Sequence, residues 1–541
     1  MSQDTMVLDK KRYDTRMIIC GIQLAHYPSV CVIENGKIIY YNEERKLSQD
    51  KKVDSIPYNC IDQLINFKID KFILIGYNFS NDIMRSIVRY FKYKKININA
   101  KAVLTYFYPH HISHFFKACV DSGFTEGNVF VIDGRGSDWY FDDHTQGYET
   151  CSIFSFNSKE IKCIYKNVFT KSTSSKKINI YHDPYYNHAP KKVDPYFHSN
   201  ETVFNISNSF DLGHIYENMS ARFGYQYEEG KFMGLTAFGK SRDDYYDKLS
   251  HNLLDKIPIN YDSAATVQKY FEDKYLELVK KFEHKNMVFT GGTALNVVNN
   301  YKIKKAFPNS NLYFEPLCAD EGNSIGAAYL GTYFSGENLL RNKSIYIGTK
   351  IKDLNEPLNK NEIMKENVEI DEIIKLLTEG KVIGLIQGNA EAGPRALGNR
   401  SLLLDPTIKN CKDIMNEIKK REKFRPFACS VLEENVNDYF DLDCPSPHMM
   451  LAPQATAKAK TLIPGLVHND GTCRVQTVNQ HENEILYLLL KNFKIPVLMN
   501  TSFNLAGYPM VETFKDILFS IRNSSLNYVY FADYKKLLIS K

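Results

Sequence analysis

Apolar residues in this chain gather into short runs bounded by turn-formers, as in strands buried in a sheet, and elsewhere into stripes at helical spacing. Met17-Ile18-Ile19-Cys20-Gly21-Ile22 reads as a first strand. Ser29-Val30-Cys31-Val32-Ile33 and Ile38-Ile39-Tyr40, on either side of Glu34-Asn35-Gly36-Lys37, predict a hairpin closed by a tight Asn-Gly turn. Val129-Phe130-Val131-Ile132, Met287-Val288-Phe289-Thr290, Val382-Ile383-Gly384-Leu385-Ile386 and Ile495-Pro496-Val497-Leu498-Met499 predict further strands, each running into a loop with glycine or polar side chains. Val267, Phe271, Tyr275, Leu278 and Phe282 share one helical stripe that reads as core, and the segment from Ile370 to Leu377 predicts a helix feeding the strand at Val382. Strands interleaved with helices give an α/β fold class. Residues 336–365 turn polar, with Gly, Asn and Lys, and read as a linker between a first domain at 1–345 and a second at 366–541. Residues 1–15 are polar and read as loosely attached, and 156–208 read as an elaboration of the first domain.

A chain of 541 residues exceeds what one core holds, which agrees with two domains. No apolar run approaches the roughly 20 residues of a membrane span. The amino terminus lacks a charged-then-apolar leader pattern, so a cytoplasmic protein with no membrane partner is expected. Eleven cysteines without a Cys-x-x-Cys pair fit a reducing compartment and neither a disulfide framework nor a zinc ribbon. The net charge of +5 is mild and permits a polyanionic partner without demanding one.

Candidate chemistry is spread over several places. After the Val382 strand comes Gly393-Pro394-Arg395-Ala396-Leu397-Gly398-Asn399-Arg400-Ser401, and some twenty residues on Lys419-Lys420-Arg421-Glu422-Lys423-Phe424-Arg425-Pro426. Glycines let backbone N–H groups approach phosphate oxygens, and guanidinium groups offer planar forks for them, so an anion is the expected ligand; solvated arginines in ordinary ion pairs are the bland reading. In His110-His111-Ile112-Ser113-His114, a helix would put His110 and His114 on one face, as metal ligands or as plain structural histidines. Asp133-Gly134-Arg135-Gly136 and Gly291-Gly292-Thr293-Ala294-Leu295-Asn296 each follow a strand, as phosphate loops do and as ordinary turns also do. Between Lys171 and His198, basic residues interleave with tyrosines and histidines, which suits either a nucleic-acid backbone or a self-packed surface loop.

The Gly393–Ser401 motif, the Lys-x-Arg-Glu-x-Phe-Arg-Pro-Phe-Ala run and Met499-Asn500-Thr501-Ser502-Phe503-Asn504 together resemble the O-carbamoyltransferase family of nodulation-factor and antibiotic biosynthesis, and the likeness covers most of the chain. The resemblance implies an actin-like first domain and a YrdC-like second domain. It also supplies Asp320, in Asp320-Glu321-Gly322-Asn323-Ser324-Ile325-Gly326-Ala327-Ala328, as a third ligand beside His110 and His114 for iron, manganese or zinc. Where the family typically has His-Asp-x-Ser-Ala, this chain has His26-Tyr27-Pro28-Ser29-Val30; the missing aspartate leaves His26, with Asp133, as the expected transfer site. Glu43-Glu44-Arg45 with Lys51, Leu212-Gly213-His214-Ile215-Tyr216 and Glu229-Gly230-Lys231-Phe232-Met233-Gly234-Leu235 match further family segments.

What the resemblance implies for function is an ATP-dependent carbamoyltransferase. ATP, with Mg, and carbamoyl phosphate would form carbamoyl adenylate in the second domain, with Lys419, Arg425, Arg395 and Ser502 on the phosphates and Arg400, Ser401, Asn500 and Asn504 completing the pocket. In the first domain Gly291, Gly292, Asn296 and Lys231 would face the nucleotide. The acceptor hydroxyl is expected on DNA or a nucleotide, as the hydroxymethyl group of a modified pyrimidine, because viral relatives act on 5-hydroxymethylcytosine. A sugar or natural-product hydroxyl is the alternative. Threonylcarbamoyl transfer to tRNA and a non-catalytic nucleotide-binding regulator are more distant ones, and a homodimer is allowed.

Overall fold

The computed structural model describes residues 5–6, 17–76, 81–105, 110–140, 146–171, 197–207 and 211–541. The first sheet is built from β1 (Ile18–Gln23), β2 (Ser29–Glu34), β3 (Lys37–Glu43), β4 (Ile69–Ile75) and β5 (Ile98–Thr105), in the order β3-β2-β1-β4-β5. Its first three strands are antiparallel neighbours and the last two run parallel to β1. The β2–β3 turn is the expected Asn-Gly type: Asn35 and Gly36 both have positive φ, at 51° and 76°, which matches the twist of the flanking strands.

The second sheet repeats that order. Its main path is made of β6 (Gly127–Ile132), β7 (Gln146–Phe156), β8 (Ile161–Thr170), β9 (His198–Ser207), β10 (Asn286–Thr290) and β11 (Asn311–Phe314), arranged β9-β8-β7-β6-β10-β11, and the short segment Asp138–Tyr140 pairs with β7 beside that path. The pairs β6–β7 and β7–β8 are antiparallel, β6–β10 and β10–β11 parallel, and β9 is added outside the repeated unit. One five-strand pattern used twice is the actin-like arrangement. The central strand β6 is buried at every position, as its unbroken apolar run requires when helices cover both faces.

Helices α1 (His110–Ser122), α2 (Leu212–Arg222), α3 (Glu229–Leu235), α4 (Tyr261–Lys281), α5 (Val297–Ala306) and α6 (Asn323–Phe334) complete this half. In α4, Val267, Phe271 and Tyr275 are buried as the stripe predicts, but Val279 rather than Leu278 takes the next core position and Phe282 lies past the helix end. Helix α6 is apolar all round and buried from Asn323 to Thr332. It sits between the two sheets because two glycines allow backbone contact: a Cβ on Gly326 would collide with the Ser113 backbone of α1, and one on Gly21 of β1 with the backbone of α6 at Ser324 and Ala328.

The second half is an α/β unit around one eight-stranded sheet. With β12 (Glu362–Lys365), β13 (Ile383–Ile386), β14 (Arg400–Leu404), β15 (Ala428–Leu432), β16 (Val475–Val478), β17 (Val497–Ser502), β18 (Tyr528–Phe531) and β19 (Lys536–Ser540), the order is β12-β19-β18-β13-β14-β17-β15-β16. Alternation along β14 sends Leu402 and Leu404 to one apolar cluster and Leu403 to the other, so the sheet is covered on both faces. Helix α7 (Ile370–Thr378) precedes β13 as expected, and α8 (Cys411–Lys419) carries the basic run at its end.

The polar stretch 336–365 is not a free linker. Ile345 and Ile351 are buried in it, and its backbone pairs with the loop before the glycine-arginine motif: Gly348 N to Ala390 O at 3.0 Å, Ala390 N to Thr349 O at 2.9 Å, Ala392 N to Ile345 O at 2.8 Å. Its last residues form β12. Near the amino terminus Thr5–Met6 pairs with Leu339–Leu340 rather than hanging loose. Residues 172–196, which hold most of the basic aromatic segment, lie outside the described residues. Among the described residues, no helix is long and apolar enough to cross a membrane.

Candidate active site

Contact between α1 and α6 builds the first site. His110 and His114, one turn apart on α1, present their Nε2 atoms 3.1 Å from each other. The start of α6 brings Asp320 Oδ1 to 3.1 Å from His110 Nε2 and 3.5 Å from His114 Nε2. From the end of β6, Asp133 Oδ2 lies 3.4 and 3.3 Å from the same two nitrogens. One ligand atom from each of the four residues falls within 4.8 Å of all the others, and all four residues are buried. Other groups hold this arrangement in place. Ser137 Oγ accepts from His110 N at 2.7 Å, Glu149 Oε1 accepts from His111 N at 3.2 Å, and Asn323 Nδ2 lies 3.1 Å from His114 Nε2.

Within the cluster the imidazoles and carboxylates hold each other charged. Burial opposes charge on His110, yet Asp320 and Asp133 prevail and raise its imidazole to about 10. Burial likewise opposes charge on His114, and the same two carboxylates raise it as well. Burial opposes ionisation of Asp133 and Asp320, but the imidazoles hold both carboxyls below the usual range. Asp133 Oδ1 is taken by Gly134 N at 2.8 Å and Gly292 N at 3.2 Å, while the buried Oδ2 has no hydrogen bond of normal length. Two imidazole nitrogens and two carboxylate oxygens converging in a dry site fit a divalent transition metal. The expected trio is therefore joined by Asp133, which the sequence had marked only as a transfer residue.

The mouth of this site is aromatic and acidic. His26 sits between Ala25 and Tyr27, two non-glycine residues at φ 64° and 47°, a doubly left-handed backbone of the kind found where a loop is held for function. Its ring lies 4.1 Å from Tyr27 and 5.7 Å from Tyr227, centroid to centroid. Glu217 of α2 is raised by burial and by Asp133 and lowered by His26 and Arg135, which puts it among those groups. Glu321, next to Asp320, is fully buried with both carboxyl oxygens unbonded, and burial pushes it up to about 7 against the pull of Arg45.

A second site lies at the junction of the two halves. A cavity of about 160 Å3 is lined by Arg395, Arg421, Arg425, Arg474, Asn500 and Ser502 from the second half and by Gly230, Met233, Gly234, Val297 and Val298 from the first. Arg395 and Arg474 are depressed first by burial, and neighbouring guanidinium groups add to this, among them Arg425 for both. Such a set of mutually repelling cations suits an anion.

Several expected ligand residues do other work. Arg400 is fully buried and donates to the backbone oxygens of Gln387, Asn399, Thr349 and Gly388 at 2.8 to 3.3 Å, so it knits the motif loop together and has no fork left for phosphate. Ser401 Oγ accepts from Gly398 N at 2.9 Å inside the same turn. Lys419 stands behind the cavity wall, bonded to Ser502 O, Ser502 Oγ, Asn504 O and Asn504 Oδ1; it and Asn504 brace Ser502. Asn296 pairs with Gln268 in both directions, at 3.0 and 3.2 Å, and caps α5 through Asn299 N. Lys231 faces Glu422 of the second half at 2.7 Å rather than a nucleotide loop. Gly291 and Gly292 bring the end of β10 against Ile132 and Asp133. Arg474 was missed; a lone arginine entering an apolar strand was its one signal. Glu217 and Glu321 were missed too, the first one residue past the Leu212–Tyr216 segment and the second inside the Asp320–Ala328 motif.

Comparison with known proteins agrees with this layout. A family model for the carbamoyltransferase N-terminus matches residues 248–329, and one for the carbamoyltransferase C-terminus matches 374–537. An uncharacterised protein of Methanocaldococcus jannaschii, MJ1051, is 28% identical over 97% of this chain and 100% of its own length. Nodulation protein NolNO of Sinorhizobium fredii is 24% identical over 93% of this chain and 77% of its own, and nodulation protein U of the same organism 23% over 91% and 94%. Among solved structures, HypF of T. kodakarensis aligns at a TM-score of 0.36 with 13% identity, over 62% of this chain and 49% of its own. With a carbamoyltransferase model matched in each half and relatives aligned along nearly the whole length, the chain belongs to the O-carbamoyltransferase family and is a transferase.

Proposed function

We propose that the chain consumes ATP, carbamoyl phosphate and one water: the water cleaves carbamoyl phosphate to carbamate and phosphate, a carbamate oxygen attacks the α-phosphorus of ATP in the arginine pocket with release of diphosphate, and the carbamoyl group of the resulting carbamoyl adenylate passes to an acceptor hydroxyl in the first half. The observation that carries this reading is the presence in one chain of a polycationic pocket at the junction and a buried His-His-Asp-Asp cluster beyond it. Arg395, Arg421, Arg425 and Arg474 would hold the phosphate oxygens, with Ser502 and Asn500 beside them. This half we read as the YrdC-like unit, with its boundary near residue 366 and the actin-like unit ending near 345.

His110, His114, Asp133 and Asp320 would hold a divalent iron, manganese or zinc ion, which supplies a Lewis acid for a carbonyl or phosphate oxygen. The acceptor oxygen attacks the carbamoyl carbon, AMP leaves, and the acceptor proton passes to His26 at the mouth. Burial of both sites keeps water from a reactive mixed anhydride. We assign the acceptor as a hydroxymethyl pyrimidine in DNA or a nucleotide, which the basic aromatic segment around residues 171–198 would grip. Mass spectrometry of products formed from ATP and carbamoyl phosphate, offering hydroxymethylated DNA beside a panel of glycosides and aminoglycosides, tests both steps. A carbamoyl adduct on DNA nucleosides supports the whole reading. An adduct on a glycoside alone removes the DNA acceptor, and absence of diphosphate release removes the adenylate step.

A further inference from the structure

Helix α3 belongs to the first half by sequence but roofs the arginine pocket of the second. Gly230, Met233 and Gly234 line the cavity, and Gly234 O accepts a hydrogen bond from His468 Nε2 at 2.8 Å. A Cβ on Gly234 would stand 3.4 Å from Pro426 Cδ, so the helix backbone lies against the basic run itself.

From the same helix Lys231 reaches a line of alternating charges that crosses the junction. Lys231 Nζ lies 2.9 Å from Glu228 Oε2 and 2.7 Å from Glu422 Oε1. Glu228 Oε1 is 3.9 Å from Lys51 Nζ, and Glu422 Oε2 is 3.6 Å from Arg425 Nη1. Lys231 is 15% exposed and Glu422 37%, so solvent screens each pair and none contributes much stability alone. What the line supplies is geometry.

Arg425 shares its pocket with Arg395, Arg421 and Arg474, and those neighbours push it outward. Glu422 counters that push. A carboxylate left to itself would take the whole guanidinium fork in a close bidentate pair and block it from phosphate. Here Lys231 claims one Glu422 oxygen at hydrogen-bond distance, and Arg425 is left in a loose pair at 3.6 Å with its fork free.

We propose that Lys231 and Glu422 are positioning residues for the arginine pocket: docking of α3 onto the second half sets Arg425 to receive phosphate oxygens, so the anion site is complete only when the halves are closed on each other. The inference rests on reading the pocket as the phosphate site of the adenylate-forming step.

The test is calorimetric titration of the full chain with inorganic diphosphate. Glu422→Gln removes a negative charge beside Arg425, so a field effect alone tightens binding. Positioning demands the opposite, and a loss of at least fivefold is expected. Lys231→Met should weaken binding similarly, whereas Lys231→Arg, which keeps a cation on Glu422, should stay within threefold of wild type. Glu422→Gln binding as tightly as wild type or more tightly overturns the proposal. So does a Lys231→Arg protein that binds as weakly as Lys231→Met while melting at the wild-type temperature, and so does a wild type that binds no diphosphate. A wild type that binds diphosphate but releases none from ATP and carbamoyl phosphate refutes the adenylate reading and leaves the positioning roles standing.

Discussion

Replacing Asp133 by Asn isolates the metal-ligand role proposed for it. The Asn oxygen can still accept from Gly134 N and Gly292 N, which now bind Oδ1 at 2.8 and 3.2 Å, so the loop is kept. Only Oδ2, the oxygen facing both imidazoles at 3.3 and 3.4 Å, loses its charge. Partners outside the direct ligand shell alter metal affinity about 10- to 100-fold when removed, so a direct carboxylate ligand should cost about 100-fold or more. At a free metal concentration 100 times the wild-type Kd, binding stabilises the fold by about 2.7 kcal/mol; a 100-fold weaker site gives about 0.4 kcal/mol. Urea unfolding with and without added iron, manganese or zinc should therefore show a metal-dependent increment in wild type that nearly vanishes in Asp133→Asn. Elemental analysis of the purified proteins checks the occupancy. Equal increments and equal metal content in the two proteins would refute the four-ligand assignment.

Other outcomes follow from the same geometry. Arg400→Lys should lower the urea unfolding free energy by about 1–3 kcal/mol, because it leaves buried carbonyls unbonded, and should leave diphosphate affinity unchanged; Arg395→Lys should do the reverse, and a swapped pattern would contradict the division between them. Lys117 is buried with Asp121 at 2.6 Å and Glu315 at 2.7 Å, so Lys117→Met, which strands two carboxylates, should cost about 3–5 kcal/mol in the same assay; a loss below about 1 kcal/mol would mean the triad is solvated. Burial, with Glu217 and Glu228 adding to it, raises Glu229 to about 7, above its unfolded value of about 4.3. The folded form thus gains the proton, and its contribution is present below about pH 4.3 and lost as pH rises through 7. Glu229→Gln should gain stability over wild type across that window, and a difference that stays flat with pH would sink the idea.

Local signals in the sequence were readable and distant partnerships were not. The Asn35-Gly36 turn, the run Val129–Ile132 and the pairing of His110 with His114 depend on neighbours a few residues away, and all three are present. Asp133 was readable as a residue at a strand's end. Its place beside the histidines follows from how β6 and α1 pack, which no spacing encodes, and Asp320 was found only through resemblance. Arg400 misled for a physical reason: an arginine at the first position of a strand can face a ligand or turn back onto carbonyls, and composition is the same in either case. Lys231 and Asn296 were assigned to a nucleotide through the family segments they resemble, whereas packing turned one across the junction and paired the other with Gln268.

The contact of Gly326 with Ser113 joins segments that are far apart along the chain, and the ligands Asp320 and His110 meet only where it holds. An ion gripped there would be bound by tertiary structure and by no single peptide, so apo chains emerging from synthesis would have nothing to scavenge it with until α6 has slotted home. Metal retention would then act as a late checkpoint of maturation, and a side chain larger than hydrogen at position 326 would yield a protein rich in secondary structure yet permanently empty.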